Sequence, residues 1–332
     1  MKILVVRNDR LGDFMLAWPA FALLKQALPA AHIGALVPVY TAAMAELCPW
    51  IDEVVIDPGP EAGNKSLQQE LAMFRADAII TLFSTTRIGI AAWRARIPYR
   101  LAPASKLAQV FYNNRLVQRR SRSEKPEWEY NLDLIRYFLA DHEIDAARPH
   151  PPYLVFPREE IAALRRQFLQ AHGITVPARL VLVHPGSGGS ANNLSLDQYA
   201  LLLRNLYAKQ AIHFIIGCGP GEELKAETLA TLLGPLSHSV LPPDNIVDYA
   251  SHIAFADLFI SGSTGPLHIA GALDIPTAGF YPRRRSATPL RWQTLNSPER
   301  RLAFTPPATA EEMDMSSIDV IDAARLINQK FI

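Results

Sequence analysis

Residues 1–19, MKILVVRNDRLGDFMLAWP, decide how the rest of the chain is read. Ile3 to Val6 form an apolar, largely β-branched run, the composition of a strand buried on both faces. Arg7, Asn8, Asp9, Arg10 and Gly12 follow as a polar loop. Asp13 then stands where a helix begins, with Phe14, Leu16, Ala17 and Ala20 to Leu24 as its apolar positions. A first strand feeding a loop and a helix puts that loop at the carboxyl edge of a parallel sheet, where open α/β folds bind ligands. A carboxylate at that edge is placed to accept a proton. The competing reading is that Asp13 only caps the helix, a position Asp favours.

Outward from this stretch, strands and helices alternate. Strands are expected at Lys2–Arg7, His32–Val37, Glu53–Ile56 and Ala78–Phe83, and helices at Phe14–Leu28, Thr41–Leu47, Leu67–Arg75 and Gly89–Arg96. Residues 126–141 carry Trp128, Leu132, Leu134, Ile135 and Phe138 at helical spacing. His150, Pro151, Pro152 and Pro157 punctuate a linker, after which the rhythm resumes. The second half reads as helix Glu159–Ala171, strand Leu180–His184, helix Leu196–Leu206, strand Ile212–Ile216 and helices Glu222–Leu233 and Ile246–Ala254. An amphipathic helix at Ile318–Gln329 closes the chain. Such βαβα alternation means parallel sheets covered on both faces. At 332 residues, two domains are expected.

Residues 257–282, DLFISGSTGPLHIAGALDIPTAGFYP, repeat the strand–turn–helix pattern. Leu258 to Ile260 read as a strand, Gly262 to Gly265 as a glycine-rich turn, Pro266 to Leu273 as a helix and Pro276 to Tyr281 as a further strand. Free N–H groups and the dipole at such a helix start favour an arriving phosphate. A lone buried histidine such as His268 is otherwise most often satisfied by backbone.

With HPGSGG at 184–189 and the N-terminal motif, these residues resemble the ADP-heptose:lipopolysaccharide heptosyltransferases of glycosyltransferase family nine. The resemblance covers essentially the whole chain, is strongest at 1–30 and 180–282, and is weak between 60 and 125. It implies a GT-B fold, an α/β architecture of two Rossmann-like doubly wound domains facing a central cleft. The expected division is an acceptor-binding domain at 1–155 and a nucleotide-sugar-binding domain at 156–315. The helix at 316–332 would then pack back on the first domain. The implied reaction is inverting transfer of heptose from ADP-heptose to a hydroxyl of the lipopolysaccharide inner core, with Asp13 as general base.

The same resemblance assigns the donor to Ser187, Gly188, Ser263, Thr264, Gly265 and His268, the last three matching the family's T-G-x-x-H spacing. Amides of the 186–189 loop and the 263–265 turn would stabilise the leaving diphosphate. Glu222 is the candidate for ribose or base recognition, against the plainer reading of an acid at a helix start. Gly217 to Glu222 is a poor dinucleotide fingerprint, with Glu222 at the third glycine position and Pro220 interrupting the loop. Two departures stand out. Ser263 replaces an acid common in the family, and Ala191-Asn192-Asn193-Leu194 lacks the family's phosphate-binding lysine. Arg283, Arg284 or Arg285 is expected to compensate, or donor affinity falls, or the donor differs. No cofactor and no metal are implied.

Composition sets the remaining bounds. Hydrophobic content of 49% and charged content of 20% describe a globular protein able to bury large cores. Cys48 and Cys218 stand alone, as small buried hydrophobes in a reducing compartment. The four-residue apolar run at the start reads as neither signal peptide nor anchor, so a cytoplasmic location is expected. The net charge of +1 hides an asymmetry. Between Arg75 and Lys125 lie eleven Lys or Arg, Lys106 among them, and only Asp77 and Glu124 oppose them. Such a run suggests an anionic partner, and Arg10, Arg115, Arg119, Arg120 and Arg122 are the candidates for an anionic core acceptor. Peripheral contact with the inner membrane fits the same run; nucleic acid is not the expected partner. The alternatives are the same fold with another nucleotide-sugar donor or a protein acceptor, and a catalytically silent nucleotide-sugar-binding protein.

Overall fold

The computed structural model describes residues 1–104, 107–175, 177–189, 192–206, 211–242 and 245–332. Lys106 and Ala191 lie outside the described residues. The chain divides into two units, Met1–Tyr153 and Leu154–Ile332. This boundary falls two residues before the expected one.

In the first unit the strands are β1 (Lys2–Val6), β2 (His32–Pro38), β3 (Glu53–Asp57), β4 (Ala78–Thr81), β5 (Tyr99–Pro103) and β6 (Asn114–Leu116). They form one parallel sheet in the order β3-β2-β1-β4-β5-β6. The helices are α1 (Leu11–Met15), α2 (Trp18–Ala27), α3 (Ala42–Glu46), α4 (Gly63–Phe74), α5 (Thr86–Arg94) and α6 (Glu127–Asp141). The long helix expected at 14–28 is two helices. α1 ends at Leu16, and α2 restarts with Pro19 in its first turn, where a missing N–H is harmless. Phe14, Trp18 and Phe21 meet at ring centroid distances of 6.1–6.3 Å and pin both helices over the sheet.

The second unit begins with α7 (Arg158–Ala171) and continues with β7 (Ala178–His184), α8 (Leu196–Arg204), β8 (Ala211–Gly217) and α9 (Glu223–Leu233). It then adds β9 (His238–Leu241), α10 (Ile246–Phe255), β10 (Leu258–Gly262), α11 (Gly265–Ala272), β11 (Thr277–Phe280), β12 (Arg301–Phe304) and α12 (Val320–Phe331). Its sheet is also parallel, in the order β12-β11-β10-β7-β8-β9. Both sheets therefore share one doubly wound order. The order reverses between β1 and β4 in one unit and between β7 and β10 in the other. Those switch points are where loops part and leave room for a ligand.

The last helix departs from expectation. α12 does not leave the second unit: Val320, Ala323, Ala324 and Ile327 are buried in the same cluster as Val181, Leu203, Phe214 and Ile260. α12 packs on α8, and Asn328 Nδ2 donates to the Asn205 carbonyl at 3.0 Å. The i, i+3, i+4, i+7 spacing of its buried positions fits this one docking face. Ile327→Ala should therefore destabilise the protein by about 2–5 kcal/mol. Chemical denaturation of the full chain checks this; an unchanged midpoint would remove α12 from that core.

Candidate active site

Arg7 follows β1 directly, and its guanidinium is almost wholly buried. Nε donates to Asp9 Oδ1 at 2.8 Å, Nη2 to Asp13 Oδ1 at 2.5 Å, and Nη1 to Glu127 Oε1 at 2.8 Å and Asn131 Oδ1 at 3.2 Å. Glu127 and Asn131 lie four residues apart on α6, so one helical face delivers both. Asn131 also donates to the Leu16 carbonyl at 3.0 Å, fastening α6 to the end of α1. Arg120 donates to the same Glu127 oxygen at 2.8 Å.

Arg7 and Arg120 thus face Asp9, Asp13 and Glu127 in a largely buried space. Burial pushes the Asp13 carboxyl up to about 7, against the pull of Arg7 and with added repulsion from Asp9 and Glu127. Asp9 is also raised, chiefly by burial. Burial alone would lower Arg7, but its carboxylate neighbours more than reverse that. Asp13 is no cap: the N-cap of α1 is Arg10, without a side-chain cap bond, and Asp13 turns to Arg7 instead.

At the second switch point the expected donor residues separate into two groups. Glu222 turns onto the neighbouring loop amides. Its Oε1 accepts from the Ser187 and Gly188 amides at 2.7 Å each, and its Oε2 from the Gly219 amide at 3.1 Å. His184 Nε2 lies 3.4 Å from Oε2, and its Nδ1 is 2.8 Å from the Tyr249 hydroxyl. The carboxylate lies so close to Gly186 that a Cβ there would sit 1.9 Å from Oε2. Gly188, at φ +51°, takes the left-handed turn that aims its amide inward. The amides expected to hold a diphosphate are therefore filled by the chain's own carboxylate. His184 and the backbone amides hold Glu222 well below the usual carboxylate range, despite its burial.

The other group is open. Thr264 is the N-cap of α11 but makes no side-chain cap bond; its hydroxyl pairs with Ser261 at 3.0 Å, and Ser261 donates to the His184 carbonyl. Ser263 is half-exposed beside it, and Gly265 starts the helix. His268, one turn on, is 3% exposed, and its Nδ1 has no hydrogen-bond partner among the described residues. Burial pushes it down to about 4, so the ring is neutral at physiological pH. A buried nitrogen without a partner is rare enough to mark a place where a bound group belongs.

The expected cations are partly committed elsewhere. Arg120 is bound to Glu127 and Gln118, and Arg122 sits 3.5 Å from Glu124. Arg10 and Arg115 lie at the surface. Arg119 lines an open groove of about 640 Å³ with Lys125, Asp133, Arg136 and Tyr137. Arg283 donates to the Ala308 and Ala310 carbonyls, leaving Arg284 and Arg285 as the exposed arginines of that loop. Asn192 approaches the Met313 carbonyl at 3.4 Å, while Asn193 ties the Pro185 and Gly186 carbonyls to Tyr199. Among the described residues no group of three or more His, Cys, Asp or Glu is arranged to hold a metal, and no helix is long and apolar enough to cross a membrane.

Arg7, Glu127 and Asn131 escaped the sequence reading. The available signal was an arginine directly after a four-residue apolar strand, where burial is forced and a counter-charge must follow.

Residues 65–312 match the model of glycosyltransferase family 9 (heptosyltransferase). The chain belongs to this family. A Haemophilus influenzae protein carrying a provisional glycosyltransferase name is 48% identical over 327 residues, covering 97% of this chain and 94% of that one. A family 9 glycosyl transferase from Veillonella parvula superposes with a TM-score of 0.81 at 15% identity, covering 99% of this chain and 97% of that one. The E. coli ADP-heptose lps heptosyltransferase II gives 0.77 at 17% identity, covering 100% and 98%. The fold is GT-B, with each unit a Rossmann-like half, and the protein is a glycosyltransferase.

The two carboxylates differ in sign, and stability should show it. Glu222 has its folded pKa lowered from an ordinary 4.5, so its contribution is present above that pH and lost as pH falls. Glu222→Gln should cost about 1–3 kcal/mol at neutral pH by facing an amide group toward backbone N–H donors. That deficit should shrink below about pH 4.5. Asp13 has its folded pKa raised, so wild-type stability falls as pH rises toward 7. Asp13→Asn should melt above wild type at pH 8 and converge with it in acid. Thermal melts across pH read both; parallel curves for either variant would refute its electrostatic account.

Proposed function

We propose that this glycosyltransferase moves heptose from ADP-heptose to a hydroxyl of an anionic lipopolysaccharide inner-core acceptor, with inversion and without a metal. The observation that carries this reading is the Asp13 carboxylate, in the first turn of α1 at the carboxyl edge of β1 and paired with buried Arg7. A base works best with a pKa close to the working pH, where it is both ionised and able to keep the proton it takes. The acceptor hydroxyl gives its proton to Asp13, its oxygen bonds to the anomeric carbon, and the bond to the diphosphate oxygen breaks. One displacement inverts that centre, and ADP leaves.

The edge formed by Thr264, Gly265 and the first turn of α11 suits the leaving diphosphate, because its N–H groups carry no side-chain cap. Neutral His268 suits a phosphate oxygen or hydroxyl as a donor. Filled by Glu222, the Ser187 and Gly188 amides act by shaping the loop rather than by holding phosphate. The exposed Arg10 and Arg115, and Arg119 on its groove, suit an anionic acceptor. Two observations favour a second reading, a different nucleotide-sugar donor: Asn192 stands where the family's lysine would be, and Arg283 is engaged by backbone. The E. coli relative named for ADP-heptose supports the first.

The deciding assay is ADP release from ADP-heptose with a panel of truncated core acceptors. Release only with an acceptor is expected; none with any acceptor, alongside turnover of another nucleotide sugar, would move the assignment to the second reading. Asp13→Asn should lower turnover by about 10²- to 10⁴-fold with donor affinity retained. Wild-type kcat/KM should rise with pH through an acid limb near 7. Arg7 pulls that value down, so Arg7→Gln should move the limb to higher pH. An unmoved limb in Arg7→Gln would detach the network from the base. His268→Ala should weaken ADP binding about tenfold, in line with loss of a charge-assisted hydrogen bond; calorimetry showing unchanged affinity would place the phosphates elsewhere.

A further inference from the structure

From Ala78 to Ser123 the sequence has no Asp or Glu and nine Lys or Arg. Much of that charge is already used. Arg87 forms a two-pronged pair with Asp57 at 2.7 and 2.9 Å, Arg100 donates to the Ile97 and Phe111 carbonyls, and Arg120 is held by Glu127. Arg94, Arg96 and Arg115 are exposed and make no ion pair with another described residue.

Beside them lies apolar surface that the fold leaves uncovered. α5 packs on the single turn of 3-10 helix at Leu107–Phe111, with Gly89 against Phe111 and Trp93 6.3 Å from the Phe111 ring. The inner positions Ile88, Ala91, Ala92 and Ala108 are buried. The outer ones are not: Leu107 is 84% exposed, Val110 69% and Trp93 55%. Leu107 and Val110 are three residues apart on a three-residue turn, so they project on one side. Single exposed apolar residues are ordinary, but two aliphatics and an indole on one packed pair of elements, rimmed by arginine, are not.

We propose that this face of the first unit, α5 with the 107–111 turn, docks on the surface of an anionic lipid bilayer. Leucine and valine offer nothing to a phosphodiester or a sugar, but they enter the boundary between headgroups and acyl chains. Tryptophan suits the headgroup level, where one ring edge is wet and the other dry. Unpaired arginines add attraction to anionic lipid phosphates, and the absence of acids across this stretch removes the opposing term. A second copy of the face fits poorly, because symmetric contact would press arginine on arginine. The patch is small, so the attachment is reversible and sensitive to salt.

The test needs no glycosyl substrate, so its outcome is separate from that of the Asp13 reading. The full chain is sedimented with phosphatidylglycerol/phosphatidylethanolamine vesicles and with phosphatidylcholine vesicles at about 0.1 M salt. Binding to the anionic vesicles should be at least about tenfold tighter, and should weaken as salt rises. Leu107→Ser with Val110→Ser keeps the charge and should lower vesicle affinity about tenfold. Arg94→Gln with Arg96→Gln should lower it and flatten the salt dependence. A vesicle-induced blue shift of tryptophan emission should vanish in Trp93→Phe. All five positions are exposed, and far-ultraviolet circular dichroism verifies the fold of each variant. Unchanged binding by the Leu107/Val110 variant overturns the proposal, as does equal binding to both lipid compositions. Tighter binding to a single-stranded RNA oligonucleotide than to vesicles, lost with the arginines but not with the aliphatics, would make the face a nucleic-acid site instead.

Discussion

One buried guanidinium organises the first unit. Arg7 is carried inside by β1, whose neighbours Leu4, Val5 and Val6 are fully buried, and a charge taken there must be met on every side. Asp9 and Asp13 come from the adjoining loop and helix, and Glu127 comes from 120 residues away on α6. The pairing fixes where α6 lies relative to β1 more tightly than apolar packing would, since a guanidinium has five donors in a rigid fork. It also sets the chemistry of the site. Burial, with added repulsion from Asp9 and Glu127, holds the Asp13 carboxyl high against the pull of Arg7.

The second unit uses the opposite arrangement with the same topology. There the buried charge is an anion, Glu222, and its partners are backbone amides that the glycine-containing loop turns inward. His184, at the end of β7, joins it to Tyr249 on α10, so the 185–188 loop, the 217–222 loop and α10 are fixed together. The neighbouring start of α11 has no side-chain cap among the described residues. In a doubly wound sheet the two loops flanking the switch point need not do the same work. Here one is stiffened from within, and the other faces outward.

Much of the architecture was legible because it is repetitive. Apolar runs of four and three residues, each followed by a turn and a helical period, recur at residues 3–16 and 258–272, and both became strand, loop and helix. The edge strands β6, β9 and β12 were not legible, and neither was β5 beside β6. Each has three to five residues, and Tyr99, Arg100, Asn114, Arg115, His238 and Arg301 interrupt their apolar runs; at the three edges a strand need not be buried on both faces. Asp13 could be singled out from its place after a strand, yet what tunes it could not, since Glu127 is remote in sequence. The partners of Glu222 were hidden for a related reason. An acid at a helix start looks available, and only the folded loop shows the amides of Ser187 and Gly188 turned onto it. The basic run was overcounted likewise: Asp57, Glu127 and the carbonyls of Ile97 and Phe111 neutralise arginines that sequence alone leaves unopposed.

These buried charges also explain why the two halves should respond differently to acid. Below neutrality Asp13 takes up a proton and the cost of burying its charge is relieved, so the first unit gains stability there. Glu222 stays ionised until well below the ordinary carboxylate range, and when it protonates the loop loses an acceptor for its amides. Acid therefore relieves one site while it threatens the other, and the first unit is most strained in the range where Asp13 is ionised. The strain at Asp13 and the raised pKa of its carboxyl have the same origin, a carboxylate buried beside like charges on Arg7.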